Sequence, residues 1–237
     1  MKILVTGGAG FIGSSLCEKL VEKKHRVIVV DNLVNSKITN LDKIKNKITF
    51  LKKDITQKNC FNDKIFNNID VVFHLAALAD IVPSIKHPNK YFNTNVGGTL
   101  NVLEFSRKNY VKKFIYAASS SCYGISNKVP INENDKIDIQ YPYSLTKYLG
   151  EQLVLKWAKI YKMQNVSLRF FNAYGPRSRT NTNYGAMFGV FLSQKINKKP
   201  LTIVGDGKQT RDFIYISDLV EGIYKAFKKG KSGEIYN

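Results

Sequence analysis

Short apolar runs rich in β-branched residues recur along the first 170 residues, and between them lie longer stretches whose apolar positions return every three or four residues. The runs Lys2 to Thr6, Arg26 to Val30, Ile48 to Lys52, Val71 to Leu75, Lys112 to Ala118 and Val166 to Phe170 predict strands. The longer stretches predict helices over Phe11 to Lys23, Phe61 to Asn67, Tyr91 to Lys108 and Pro142 to Tyr161. Strands alternating with helices in this way form βαβ units around a parallel sheet, so the predicted fold class is α/β, doubly wound.

After Asn172 the rhythm breaks into the polar, turn-rich tract Gly175-Pro176-Arg177-Ser178-Arg179-Thr180-Asn181, followed by a predicted helix over Ala186 to Ile196 and a short strand over Leu201 to Val204. This predicts two lobes, 1–171 and a smaller substrate-binding lobe over 172–237, with no low-complexity linker to separate them. Arg177 to Tyr184 reads either as a substrate lid or as a surface loop. Glu234-Ile235-Tyr236 reads as a strand just beginning, so the smaller lobe is expected to be truncated at its C-terminal end.

Composition narrows the class. The 237 residues, 43% hydrophobic, suffice for a full core, and no apolar stretch approaches the length of a membrane span. Met1 leads into Lys2-Ile3-Leu4-Val5 without a signal-peptide pattern, so a cytoplasmic location and no membrane partner are expected. Cys17, Cys60 and Cys122 have neither the number nor the spacing of a disulfide framework or a thiolate metal site. His25, His74 and His87 show no ligand spacing either, and no metal is predicted. The formal charge of +19 comes from 31 lysines and six arginines, the lysines scattered in ones and twos. A nucleic-acid face would be richer in arginine and more clustered, so the charge is read as attraction for a small anionic substrate.

The first strand runs into Thr6-Gly7-Gly8-Ala9-Gly10-Phe11-Ile12-Gly13-Ser14 and then a helix. Glycines at this spacing permit a tight turn, close approach of the backbone to a pyrophosphate and close helix–strand packing, while the helix N-terminus offers free N–H groups to the anion. The second strand ends at Asp31, 18 residues after Gly13, where a carboxylate accepts from adenosine ribose hydroxyls and repels the 2′-phosphate of NADP. The fold is therefore predicted to be Rossmann-type and the cofactor NAD.

Tyr143-Ser144-Leu145-Thr146-Lys147 opens a helical pattern behind Pro142, and Tyr143 and Lys147, four apart, share a face. An ammonium beside a phenol is expected to lower its pKa, letting the tyrosine act as a general base. The fifth strand ends in Ala117-Ala118-Ser119-Ser120-Ser121-Cys122-Tyr123-Gly124, at the sheet edge where ligands bind, so these serines either orient a substrate hydroxyl or close their own loop by local hydrogen bonds.

Together with Asp31-Asn32-Leu33, Asp54-Ile55, His74-Leu75-Ala76-Ala77, Asn95-Val96-Gly97-Gly98-Thr99, Arg169-Phe170-Phe171-Asn172, Gly205-Asp206-Gly207 and Arg211-Asp212-Phe213, these motifs resemble the extended short-chain dehydrogenase/reductases. The resemblance is to their NAD-dependent epimerase/dehydratase branch and covers essentially the whole chain. It implies that Gly7, Gly10, Phe11, Ile12 and Gly13 hold the pyrophosphate of NAD, Asp31 and Asn32 the adenosine ribose, and Asn35 and Ser36 the cofactor phosphates. Asp54 and Ile55 would flank the adenine, and Leu75, Ala76, Ala77, Asn95 and Phe170 would line the cofactor path. Ser119, Tyr143 and Lys147 would be the catalytic triad, with Tyr143 and Lys147 also at the cofactor. Ser119, Ser120, Ser121, Tyr143, Asn172 and Arg211 would meet the substrate, a nucleotide-diphosphate sugar with a UDP-sugar favoured. The resemblance also implies a homodimer built on the helices Tyr91 to Lys108 and Pro142 to Tyr161.

Family 4,6-dehydratases carry an Asp-Glu pair directly after the catalytic hydroxyl residue, where this chain has Ser120 and Ser121, so elimination of water is disfavoured. Oxidation at C4 and re-reduction from the other face remain, and a nucleotide-sugar 4-epimerase is the expected activity. Alternatives are a dehydratase or 4-keto-sugar reductase of the same family, and a non-catalytic NAD-sensing protein. Ala79 stands where some epimerases carry a polar residue, and the family's nucleotide pocket also uses residues beyond the position of Asn237.

Overall fold

A computed structural model of the chain describes residues 1–126, 128–178, 187–203 and 205–237. Its main sheet has seven parallel strands in the order β3-β2-β1-β4-β5-β6-β9. These are β1 (Lys2–Thr6), β2 (Arg26–Asp31), β3 (Ile48–Lys52), β4 (Val71–His74), β5 (Lys113–Ser119), β6 (Asn165–Phe170) and β9 (Ile235–Tyr236). Strand order reverses between β1 and β4, the switch point at which ligands of open α/β sheets bind. The doubly wound Rossmann architecture expected from the sequence is the one observed.

The central strands are apolar throughout because both faces are covered. On one face Ile3, Val5, Val27, Val29, Val71 and Phe73 pack with Leu16 and Leu20 of α1 (Phe11–Glu22) and with Leu219, Val220, Ile223 and Phe227 of α7 (Ile216–Lys229). Their neighbours Leu4, Ile28, Val30 and Val72 point the other way, into a core with Val102, Leu103 and Phe105 of α4 (Gly98–Lys108) and Val154 of α5 (Pro142–Tyr161).

Several elements depart from the sequence reading. The expected helix over Phe61 to Asn67 is a chain of turns with one 3-10 turn at Lys64–Phe66. Asparagine and aspartate there favour turns, and what fixes the segment is Phe66, 1% exposed and edge-on to Phe61 and Phe105. The helix expected over Tyr91 to Lys108 is divided: α3 (Pro88–Phe92) passes through a π-helical turn, Asn93–Gly97, into α4. Short α2 (Ile81–Lys86) and a run of 3-10 turns over Ile38–Lys47 were not anticipated. Leu201 to Ile203 form no strand and are exposed, and Val204 lies outside the described residues.

Beyond Asn172 the predicted helix is present as α6 (Met187–Ile196), and a second, two-stranded parallel sheet joins β7 (Asn172–Tyr174) to β8 (Phe213–Tyr215). Ala186 and Arg179 to Tyr184 of the expected lid or loop lie outside the described residues. Residues 216–237, expected in the smaller lobe, return to the main sheet: α7 covers it beside α1, and β9 pairs with β6. The apolar spacing Ile216, Leu219, Val220, Ile223, Phe227 is a helix signature. Among the described residues no helix is long and apolar enough to cross a membrane.

If Phe66 and not helical propensity organises residues 61–67, Phe66→Ala lowers unfolding free energy by about 3–5 kcal/mol in urea titrations. Lys64→Gly, on the exposed side of the same turn, changes it by under about 1 kcal/mol.

Candidate active site

At the switch point the turns after β1 and β4 touch. Gly7 has φ +73°, and a Cβ there would lie 2.6 Å from the Ala76 amide nitrogen. A Cβ on Gly13 would collide with the Gly7 carbonyl, so the glycines bring α1 directly against the turn. The N-terminus of α1, with Gly10 as its cap and Phe11 and Ile12 in its first turn, has no side-chain cap and no acidic residue, leaving its N–H groups available to an anion.

Asp31, 8% exposed at the end of β2, accepts from Ala9 N–H (3.0 Å) through Oδ2 and from Leu33 N–H (2.9 Å) and the Ser36 hydroxyl (2.7 Å) through Oδ1. A carboxylate has about four acceptor positions, so these three bonds hold it rigid and leave capacity for a ribose hydroxyl. Ser36, expected at a phosphate, is engaged with Asp31, and Asn35 is exposed. Asn32 donates to Asp54 (3.0 Å), whose other oxygen accepts from the Thr56 amide and hydroxyl. Burial acts to raise the Asp54 pKa, but these hydrogen bonds together outweigh it and hold the carboxyl below its ordinary range. Ile55 is buried against Gly98, and Leu75, Ala76 and Ala77, half-buried, continue from β4. A cradle that only glycine admits, an uncapped helix N-terminus and a rigid acceptor on the neighbouring strand fit a dinucleotide such as NAD.

Ser119 ends β5, and its Oγ is 3.3 Å from the Tyr143 hydroxyl, which donates to it. The Ser121 amide donates to the same Oγ, and the Ser121 hydroxyl lies 2.9 Å away. Ser119 therefore closes its own loop by local hydrogen bonds and also faces the tyrosine. Ser120 follows in the 3-10 turn Ser120–Tyr123. Tyr143 and Lys147 sit on one face of α5, whose first turn is tied by Ser144 to the backbone of Tyr141 and by the Tyr143 amide to Ser84.

The expected depression of the tyrosine pKa by Lys147 is not observed. Burial raises the Tyr143 hydroxyl, against the Ser119 hydrogen bond, and the Asp80 carboxylate adds to the rise. The Lys147 ammonium, 5% exposed and 4.3 Å above the Tyr116 ring, is itself pushed down to about 7 by burial, with Glu151 opposing. Desolvation is the largest influence on both groups.

A buried polar network sets this geometry. Asn95, in the π-helical turn, accepts from Leu78 N–H and donates to Leu78 C=O and Thr146 Oγ1. Thr146 donates to Tyr143 C=O. Both Asn95 amide protons are thereby engaged, so this residue, expected to line the cofactor path, joins the segment after β4 to the first turns of α5. His74 lies between Thr6 (2.6 Å) and Thr99 (2.9 Å). Because Thr99 donates to Asn95 C=O, Nε2 of His74 carries the proton, and burial keeps the ring neutral with a pKa of about 3.

Glu151, one turn beyond Lys147, was missed in the sequence although its i+4 spacing continues the Tyr143–Lys147 face. It forms a buried fork with Arg169 (2.6 and 3.0 Å) and accepts from Ser167. Arg169 also donates to the Tyr123 hydroxyl and Glu133 C=O, anchoring the turn that carries Ser119 to Ser121. On the smaller sheet Asn172 donates to Asp212 C=O (2.9 Å), which places it beside the strand entry that carries Arg211. Phe170 pairs in register with Ser119. The structure therefore brings Tyr143 to Ser119, sets Phe170 beside Ser119 on the next strand, keeps Lys147 on the helix face that carries Tyr143, and places Asn172 against Asp212, the residue after Arg211.

The model of the NAD-dependent epimerase/dehydratase family matches residues 3–237. The chain is 36% identical to a UDP-glucose 4-epimerase of Thermotoga maritima solved with UDP-glucose, with a TM-score of 0.94 over 100% of this chain and 76% of that one. It is 32% identical to a UDP-N-acetylglucosamine 4-epimerase of Methanobrevibacter ruminantium solved with UDP-N-acetylmuramic acid, with a TM-score of 0.92 over 99% and 74%. It is also 35% identical to a UDP-N-acetyl-α-D-glucosaminuronate decarboxylase of Bacillus cytotoxicus, over 100% of this chain and 74% of the relative.

The folded pKa of Lys147, about 7, lies below its ordinary 10.5. Its burial penalty is full below pH 7, where the folded state must hold the charge, and disappears as pH rises towards 10.5. Lys147→Met is therefore more stable than the parent at pH 6, and the advantage shrinks steadily by pH 9 to 10 in denaturant titrations across that range.

Proposed function

The chain belongs to the NAD-dependent epimerase/dehydratase family, and we propose from that premise that it is a nucleotide-sugar 4-epimerase acting on a UDP-sugar. The observation that carries this reading is the set of hydroxyls at the end of β5: Ser119 bonded to Tyr143, with Ser120 and Ser121 where a dehydratase carries an acid and a base. Such a site can move one proton at one sugar oxygen but lacks the carboxyl pair that eliminates water.

In this reading Gly7, Gly10, Phe11, Ile12 and Gly13 hold the pyrophosphate and Asp31 the adenosine ribose. NAD, when bound, supplies the acceptor and donor of hydride at sugar C4. Tyr143 as phenolate takes the proton from the 4-hydroxyl, and Ser119 orients that hydroxyl. A phenolate forming at Tyr143 and an ammonium at Lys147 stabilise each other, raising the lysine from about 7 as they lower the tyrosine. Asn172 and Arg211 hold the diphosphate while the 4-keto sugar turns over, and Tyr143 returns the proton when C4 is reduced on its other face. The arrangement gives no net redox change.

Relatives that act on UDP-glucose and UDP-N-acetylglucosamine support a UDP-sugar. Helices α4 and α5 also carry apolar side chains facing outwards, Leu100 on α4 and Leu145, Ile160 and Tyr161 on α5, which supports a homodimer packed through them.

Incubation with UDP-glucose, UDP-N-acetylglucosamine and UDP-glucuronate without added cofactor, followed by NMR, is expected to give the 4-epimer of at least one. Tyr143→Phe should lower the rate by about 10²–10⁴-fold. Conversion of none, with NAD supplied, refutes the assignment. For the dimer, Leu100→Lys combined with Leu145→Lys should convert a two-chain mass to a one-chain mass in light scattering.

A further inference from the structure

An epimerase returns hydride to the sugar that gave it, so its cofactor must stay in place between the two half-reactions. Resting on the cofactor assignment above, we propose that Arg177 is a positioning residue that braces the glycine-rich turn from behind and thereby slows release of NAD.

Arg177 lies just beyond β7, at the third position of a four-residue turn closed by the Ser178 amide on Gly175 C=O, with Pro176 second. Its φ is +71°, a conformation that favours glycine at this turn position. A bulky side chain held there implies that surrounding contacts impose it, and the contacts are specific. Nη1 donates to Glu18 Oε1 (2.8 Å) and to Asn40 C=O (3.0 Å), while Nη2 donates to Glu18 Oε2 (3.0 Å) and to the Ser15 hydroxyl (2.9 Å). The three partner residues, Glu18, Asn40 and Ser15, belong to the cofactor half of the molecule, more than 130 residues earlier in the chain.

Arg177 acts on the cradle through Asn40. The Asn40 side-chain amide donates to Ala9 C=O (2.8 Å), and the Ala9 amide donates to Asp31 Oδ2 (3.0 Å). Ala9 sits inside the glycine turn and Asp31 at the ribose position, so one line of hydrogen bonds runs from the guanidinium to the groups that would hold pyrophosphate and ribose. A fork on a carboxylate is stiffer than either partner's single bonds to water. Opening the turn to let a dinucleotide leave means moving Ala9, and with it Asn40, against that fork. The same segment carries Asn172 five residues earlier, so the brace ties the cofactor wall to the strand proposed to hold the sugar nucleotide.

The test uses the whole protein loaded with NADH, with release followed by loss of NADH fluorescence on mixing with excess NAD. Arg177→Ala, Arg177→Gly and Glu18→Gln should each release NADH about tenfold faster or more. Arg177→Lys, a single ammonium without the fork, should fall between these and the parent. Combining Arg177→Ala with Glu18→Gln should add nothing to Arg177→Ala alone, because Glu18 acts on the turn through the guanidinium that this variant already removes. Arg177→Gly relieves the backbone, so without cofactor it should melt no lower than Arg177→Ala while still releasing NADH quickly, a combination a merely structural role does not give. Release within twofold of the parent in Arg177→Lys and Glu18→Gln, both folded as judged by melting, overturns the proposal. A parent protein that binds no NADH overturns the cofactor reading itself, and that failure is visible before any variant is made.

Discussion

The rest of the structure depends on one close contact, that between the turns after β1 and β4. The Ala76 backbone occupies the space that a Cβ on Gly7 would need, and the Gly7 carbonyl occupies that of a Cβ on Gly13. With those side chains missing, α1 starts immediately above the sheet, and its uncapped N-terminus faces the point where the strand order reverses. The rigid carboxylate of Asp31 is then one hydrogen bond from the turn itself, through Ala9. An anion-binding end and an acceptor for hydroxyls thus stand side by side before any ligand arrives, which reduces the ordering that binding must accomplish.

The second organising element is the inward face of α5, where Tyr143, Lys147 and Glu151 follow one another at single-turn intervals. Two buried charges there are treated in opposite ways. Glu151 is fully compensated by Arg169 and Ser167, and it uses Arg169 to hold the turn of the serine cluster. Lys147 has the face of Tyr116 and a lowered pKa. A compensated charge serves as a fixed support, while an ammonium that burial has brought to the edge of deprotonation responds to whatever charge forms beside it. The π-helical turn at Asn95 completes the arrangement by spending a change of helical pitch on hydrogen bonds to both Leu78 and Thr146.

Legibility in the sequence followed the range of the interaction. The strands β1 to β6 were readable because apolar runs are local, and so were Gly7 to Gly13, Asp31, Ser119, Tyr143 and Lys147, whose spacing places them on a turn, a strand end or a helix face. Phe61 to Asn67 misled because one buried aromatic outweighs helical periodicity in a segment of turn-forming residues. Residues 216–229 carried a clear amphipathic pattern, yet their place beside α1, covering the main sheet, was not apparent from their position late in the chain.

By itself the sequence determined the alternation of strand and helix, the glycine turn and the identities of the hydroxyl, ammonium and carboxylate groups, since each depends on residues within a few positions of one another. Only the tertiary structure decided which of those groups are engaged elsewhere: Asn95 with Leu78 and Thr146, Ser36 with Asp31, Arg169 with Glu151 and Arg177 with Glu18. It also decided the balance of charge at Tyr143 and Lys147, because desolvation depends on what the fold packs around a group, and those neighbours come from strands and helices far apart in the chain.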